Sequence, residues 1–227
     1  MAVTGFSDRE NSEIAVFCKF DLRKQEIEDE MENVVKDSIK EVKITDVTAN
    51  PAPLGLLAFG MTTVLLNLHN AGFFALGSTI FAMGIFFGGI AQVIAGIMEW
   101  KKNNTFGTTA FISFGFFWIS LVSMILLPKL GMSDPMPKEA FVAFLTLWGL
   151  FAFVMFIITL KLNKALQIVF GLLTVLFLLL IAGNASGSEL ILQIAGIDGV
   201  ICGLTAMYTG LAQVMNEVYK EPMINLG

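Results

Sequence analysis

Six apolar runs dominate the chain from residue 54 to residue 214: Leu54–Ala75, Thr79–Met98, Phe106–Leu127, Ala140–Leu160, Ala165–Gly183 and Leu190–Val214. They are 19 to 25 residues long, and a helix rising ~1.5 Å per residue needs ~20 to cross a hydrocarbon core ~30 Å thick. In lipid, backbone N–H and C=O groups must pair internally, so only helices and closed barrels can span. The runs are continuous in Phe, Leu and Ile and lack the alternation of a barrel strand. The expected fold class is therefore an all-α membrane protein with six transmembrane helices per protomer, short loops and a polar N-terminal amphipathic segment.

Composition narrows this further. Only 15% of the residues are charged and 56% are hydrophobic, whereas soluble domains carry about 25% charge. A soluble globular domain, a disordered chain and a disulfide-stapled secreted scaffold are all excluded. The charge is also sorted along the chain. Residues 1–50 hold 12 of the 19 acids and 7 of the 14 bases, and residues 51–227 hold 7 of each. The net charge of −5 thus belongs to the tail, and nothing suggests a nucleic-acid partner. Cys18 and Cys202 are too few and too far apart for a disulfide or metal framework. No cofactor is expected, since no glycine-rich turn joins a strand to a helix.

These shifts divide the chain into a soluble, partly helical tail (1–49), a membrane body (50–220) and a short C-terminal tail (221–227). Within the first tail, Ile27, Met31, Val34, Val35, Ile39 and Val42 recur at spacings that favour an amphipathic helix over Asp21–Lys43. No apolar core precedes it, so it is not read as a signal peptide. It reads as a solvated helix, with a regulatory or oligomer-facing role as the alternative. Orientation follows from the loop lysines. Lys101, Lys102, Lys161 and Lys164 share one side with both termini, against Lys129 and Lys138 on the other. That bias points to a multi-pass cell-membrane protein with both termini cytoplasmic.

Inside the six runs the formal charge is Asp198, and His69 is the other titrating candidate; the last arginine in the chain is Arg23. There is no buried cation to clamp a multivalent anion, no voltage sensor and no chain of acids. An intramembrane enzyme finds little to work with, since one Asp and one His stand on separate helices without a nucleophile–base pair. A permeating solute must be small and weakly polar, or an anion solvated by hydroxyls, amides and helix N-termini. Polar residues do share faces. Phe59, Thr63, Asn67 and Asn70 lie on one side of the first helix with Thr62 beside them. Asp198, Cys202, Thr205 and Thr209 form a stripe on the sixth. Such stripes line water or bind neighbouring helices. Separate small-residue faces (Gly84, Gly88, Ala91, Ala95; Gly196, Gly199, Gly203, Ala206, Gly210) invite close packing, within a protomer or between protomers. His69 and Asp198 are candidates for proton coupling, or for local hydrogen bonding and hydration. Glu99 and Glu217 fall at cytoplasmic helix ends and read as interfacial.

The most specific local signal is Asn50-Pro51-Ala52-Pro53-Leu54-Gly55-Leu56, where two prolines hold an extended lead-in and Pro53 starts a helix. It is followed by Phe59-Gly60-Met61-Thr62-Thr63, Asn67-Leu68-His69-Asn70, Gly88-Gly89-Ile90-Ala91-Gln92, Lys101 to Phe106-Gly107, Pro128-Lys129-Leu130-Gly131 and Asn216-Glu217. In these motifs and their order, residues 50–220 resemble the acetate uptake transporter family, the acetate/succinate permeases of bacteria, archaea and fungi. The resemblance implies six helices and one pore per protomer, a homo-hexamer, and uptake of acetate, in some members succinate, driven by protons or by the acid's own gradient. It implies an apolar constriction at Phe59, Phe114 and Leu173, where Phe114 replaces a frequent Tyr. Ala206 matches a position linked to acid size, and Asp198 replaces an apolar residue. Asn50, Thr62, Thr63, Asn67, Asn70, Thr205 and Ala206 are then candidates for the substrate path. The competing expectation is a non-transporting membrane sensor or scaffold that works through the tail.

Overall fold

A computed structural model describes the backbone of residues 7–38 and 48–227, with side chains for 19–36 and 48–227. The chain divides into two compact units, Met1–Val47 and Thr48–Gly227. The first contains α1 (Ser7–Ser38). No Gly or Pro interrupts it, which is why it begins well before Asp21. Phe20, Ile27, Met31, Val34 and Val35 are exposed on it, and Lys24–Glu28 and Lys36–Glu32 form i,i+4 pairs. Ile39, Val42 and the Cys18 side chain lie outside the described residues.

The second unit carries six helices long and apolar enough to span: α2 (Ala52–Asn70), α3 (Ser78–Lys101), α4 (Thr105–Lys129), α5 (Lys138–Thr159), α6 (Lys164–Ser186) and α7 (Glu189–Tyr219). Together with α1 they make an all-helical fold, with no strand among the described residues. Their starts are written in side chains. Asn104 Oδ1 accepts from Gly107 N at 3.0 Å, and Asn163 Oδ1 accepts from Leu166 N at 2.9 Å, each filling an orphan donor of a first helical turn. The C-terminal tail is tied down where Asn216 bonds Ile224 through both its amide groups and Ala165 N donates to Leu226 O.

Two local features depart from the sequence reading. The first span ends at Asn70, not Ala75. Gly72 takes φ +90°, its N–H returns to His69 O, and Phe73 N–H returns to Leu68 O. This left-handed closure turns the chain away, so Phe73 and Phe74 leave the helix. The second departure lies within α3, where Met83–Ala91 forms a π-helix. Its glycines permit the widened turn: a Cβ on Gly89 would stand 2.8 Å from Gly84 O and 2.7 Å from the Ile119 side chain.

Helix α2 lies against α7 and α3, and further packing runs α7 on α6, α6 on α5, and α3 on α4. The α2–α7 contact is nearly backbone on backbone. A Cβ on Gly60 would fall 2.7 Å from Gly203 O, and one on Gly203 would fall 2.7 Å from Gly60 O. Gly199 makes room for the Asn67 side chain and Gly196 for the Ala71 backbone. The glycine stripe of α7 therefore works within the protomer. At the bundle centre the Phe114 ring packs on Phe59, Phe170, Trp148 and Phe151, joining α4 to α2, α6 and α5.

Candidate substrate pathway

Two cavities lie inside the six-helix unit. The first is lined by Leu56, Phe59, Gln92, Ala110, Phe111, Phe114, Val169, Phe170 and Leu173. The second has Thr63, Leu66, Asn67, Phe117, Trp118, Leu176, Phe177 and Leu180 together with Phe59, Phe114 and Leu173. Those three are the residues the two cavities have in common. Position along α2 orders the cavities, with Leu56 in the first, Thr63 and Asn67 in the second, and Phe59 between them. Apolar residues from α2, α4 and α6 thus line both cavities where they adjoin.

An open depression flanks each end of α2. Thr48, Asn50, Glu99, Lys102, Asn104 and Glu217 line one of about 710 Å³. His69, Asn70, Glu189, Leu192 and Gln193 line another of about 640 Å³. Asn50 sits at the first opening, where its Nδ2 donates to Gln213 Oε1 at 3.0 Å and its Oδ1 receives Ala52 N. Asn70 sits at the second and donates to Asn67 Oδ1 at 3.0 Å, and Asn67 in turn donates to Thr63 O at 2.9 Å. The His69 ring holds Phe74 O at 2.9 Å through Nδ1, which fastens the turn after α2.

Other candidates lie away from the chambers. Thr62 is buried where α2 meets α3, its Oγ1 3.5 Å from Met83 O, and its side chain fills the notch left by Gly88. Thr205 and Thr209 spend their hydroxyls on carbonyls one turn back, Ile201 O and Thr205 O, both at 2.8 Å. Cys202 is buried with its Sγ 3.5 Å from Val169 O. Ala206 is in the core cluster without lining either cavity. Asp198 is half-buried, with Oδ2 enclosed and unpaired. The stripe on α7 is thus mostly helix-to-helix packing, whereas the stripe on α2 faces the chambers.

The structure adds residues that sequence reasoning passed over. Gln92 is 1% exposed, lines the first cavity, and its Oε1 has no partner. Trp118 lines the second, as does Thr63; Trp118 Nε1 and Thr63 Oγ1 are likewise buried and unpaired. A buried polar group left without a partner costs about 1–3 kcal/mol; these atoms are enclosed in the cavity walls, whose exposed lining is apolar. Glu99 was expected at the interface, yet it is 2% exposed. Its Oε2 accepts from Asn104 Nδ2 at 2.6 Å, and its Oε1 is unpaired. The first turn of α4 packs over it and buries it. Its seven-residue spacing from Gln92 was the available signal, since two helical turns bring both to one face of α3. Among the described residues no cluster of His, Cys, Asp or Glu could hold a metal ion.

A polytopic helical bundle with two cavities that adjoin at apolar residues is the architecture of a solute-conducting membrane protein. The chain belongs to the GPR1/FUN34/yaaH family, whose profile matches residues 37–223. It is 53% identical over 179 residues to the "Succinate-acetate/proton symporter SatP" of Escherichia coli (strain K12), covering 79% of this chain and 95% of that protein. It is 37% identical over 187 residues to the "Ammonia transport outward protein 2" of Saccharomyces cerevisiae, covering 78% of this chain and 65% of that one. Among solved structures it resembles that of the bacterial acetate channel SatP, with a TM-score of 0.78 at 53% identity, covering 79% of this chain and 99% of that one.

Proposed function

We propose that this protein takes up acetate, with succinate as a second substrate, across the cell membrane. The path runs from the Asn70 opening through Asn67 and Thr63, past Phe59, Phe114 and Leu173, to the Gln92 chamber and the Asn50 opening. The observation that carries the reading is that the two cavities share those three apolar residues and no others. With no fixed cation in either cavity, the path suits a monocarboxylate better than citrate or phosphate. The three apolar residues form a ring that sets a desolvation barrier, large for a bare carboxylate and lower for the neutral acid. Permeation is therefore helped by protonation, consistent with the symporter named among the relatives.

The lysine bias of the loops supports cytoplasmic termini, so the Asn50 opening faces the cytoplasm. The broad apolar exterior, including Leu147, Leu150 and Phe153 on α5, is suited to lipid and to neighbouring protomers of a homo-hexamer, each with its own pore. Residues 1–49 form a separate cytoplasmic tail that flux does not require.

Radiolabelled acetate uptake by the full chain in proteoliposomes tests this, with unlabelled formate, propionate, lactate, succinate and ammonium as competitors and an uncoupler as control. Saturable uptake, competed by the small acids and stimulated by an inward proton gradient, supports the reading. Competition by ammonium alone would replace the acid with ammonia as substrate. Flux indifferent to pH and uncoupler would leave a channel without proton coupling.

A further inference from the structure

Gln92 and Glu99 stand seven residues apart on α3, two turns and about 10 Å of rise along one face. Both are almost wholly buried, and each keeps one side-chain oxygen without a partner. Gln92 lines the inner chamber, and Glu99 lines the opening at the same end of the bundle. Resting on the transport reading above, we propose that Glu99 receives the proton from the carboxylic acid as it leaves the Gln92 chamber.

The step balances. The acid's O–H breaks, Glu99 Oε1 takes the proton, and a carboxylate and a neutral Glu99 side chain result. The carboxylate departs through the opening, and the Glu99 proton passes to water there. The surroundings fit that duty. On its own element's end Lys102 is near enough for its charge to act on the carboxylate, and that ammonium also donates to Thr48 O. Helix α7 brings Glu217 to the same opening, and the start of α2 brings neutral Asn50. Helix α4 brings neutral groups, with Asn104 holding Oε2 and Gly107 closing over the side chain. Anchoring Asn104 would need only a neutral oxygen. Asn104 and Lys102 favour the charged carboxylate, and Oε1 is left without a partner, so that oxygen is the one free to take a proton.

The test is Glu99→Gln, which keeps an oxygen for Asn104 and removes the titration. In proteoliposomes, acetate–acetate exchange at equal pH involves no net proton movement, whereas uptake driven by a proton gradient does. The expected result is exchange close to wild type, net uptake reduced roughly tenfold or more, and a flattened pH profile. Glu99→Asp, which keeps an acid, is expected to restore much of the net uptake. Wild-type net uptake and pH profile in Glu99→Gln would overturn the assignment, as would an equal loss of exchange and net uptake that Glu99→Asp does not relieve. Should Glu99→Gln fail to assemble, dicyclohexylcarbodiimide, which attacks protonated carboxyls in apolar surroundings, tests the wild-type chain. Labelling of Glu99 that stops net uptake and is slowed by acetate supports the assignment, and an unlabelled Glu99 overturns it. Absence of any wild-type acetate exchange would instead defeat the transport reading, and this assignment with it.

Discussion

The Phe59 and Phe114 rings stand 5.9 Å apart, centroid to centroid, tilted by 53°, at the level where one chamber gives way to the other. Edge-tilted aromatic pairs at this separation attract each other weakly beyond their burial, so the ring can be tight without being locked. Phe59→Ala is expected to raise leak of acetate and to admit succinate more readily, with the protein still folded. Uptake and thermal unfolding measured on the same preparation check both halves.

Leu173 closes the ring from α6. Leu173→Ala removes bulk from a side that already faces unfilled space, so its stability cost should lie near the lower end of about 2–5 kcal/mol. The expected functional result is stronger competition by lactate against labelled acetate. Unchanged competition would move the constriction elsewhere.

Gln92→Leu separates stability from function. It removes a buried oxygen that has no partner, so unfolding should be unchanged or later, by up to about 1–3 kcal/mol. Acetate flux should fall several-fold through loss of a hydrogen-bonding group worth about 1 kcal/mol. Thermal unfolding in detergent and proteoliposome uptake provide the two readings, and a parallel fall in both would argue for a structural amide.

Gly203→Ala tests the α2–α7 seam. Its Cβ would meet Gly60 O and the Val64 side chain, each at 2.7 Å. Pushing α2 outward should cost about 1–3 kcal/mol and displace Phe59, Thr63 and Asn67 together. A lower melting temperature with reduced acetate uptake is the expected outcome.

The α2 stripe was readable because three- and four-residue spacings place Phe59, Thr63, Asn67 and Asn70 on one side whatever the neighbours do. The α7 stripe looked equivalent in sequence. Its threonines bond their own helix, and Cys202 meets a backbone carbonyl of α6, because the adjoining glycine face draws α2 against that helix. Gln92 is legible in the sequence only as part of a family motif, and Glu99 only as an interfacial acid, for the converse reason. Beyond their shared helical face, a lone amide in an apolar run and an acid at a helix end carry no sign of burial; for Glu99 it comes when the first turn of α4 packs over it.

By itself the sequence determined six spanning helices, a charged tail and a neutral body, and apolar runs without a cation, since hydrocarbon thickness and desolvation act on each segment alone. The tertiary structure decided the rest: where α2 ends, that α3 widens into a π-helix, and that Phe59, Phe114 and Leu173 meet between two cavities. It also decided which polar atoms are left unpaired beside them. Those outcomes depend on what each face packs against, and that is set by the assembled bundle and not by any one span.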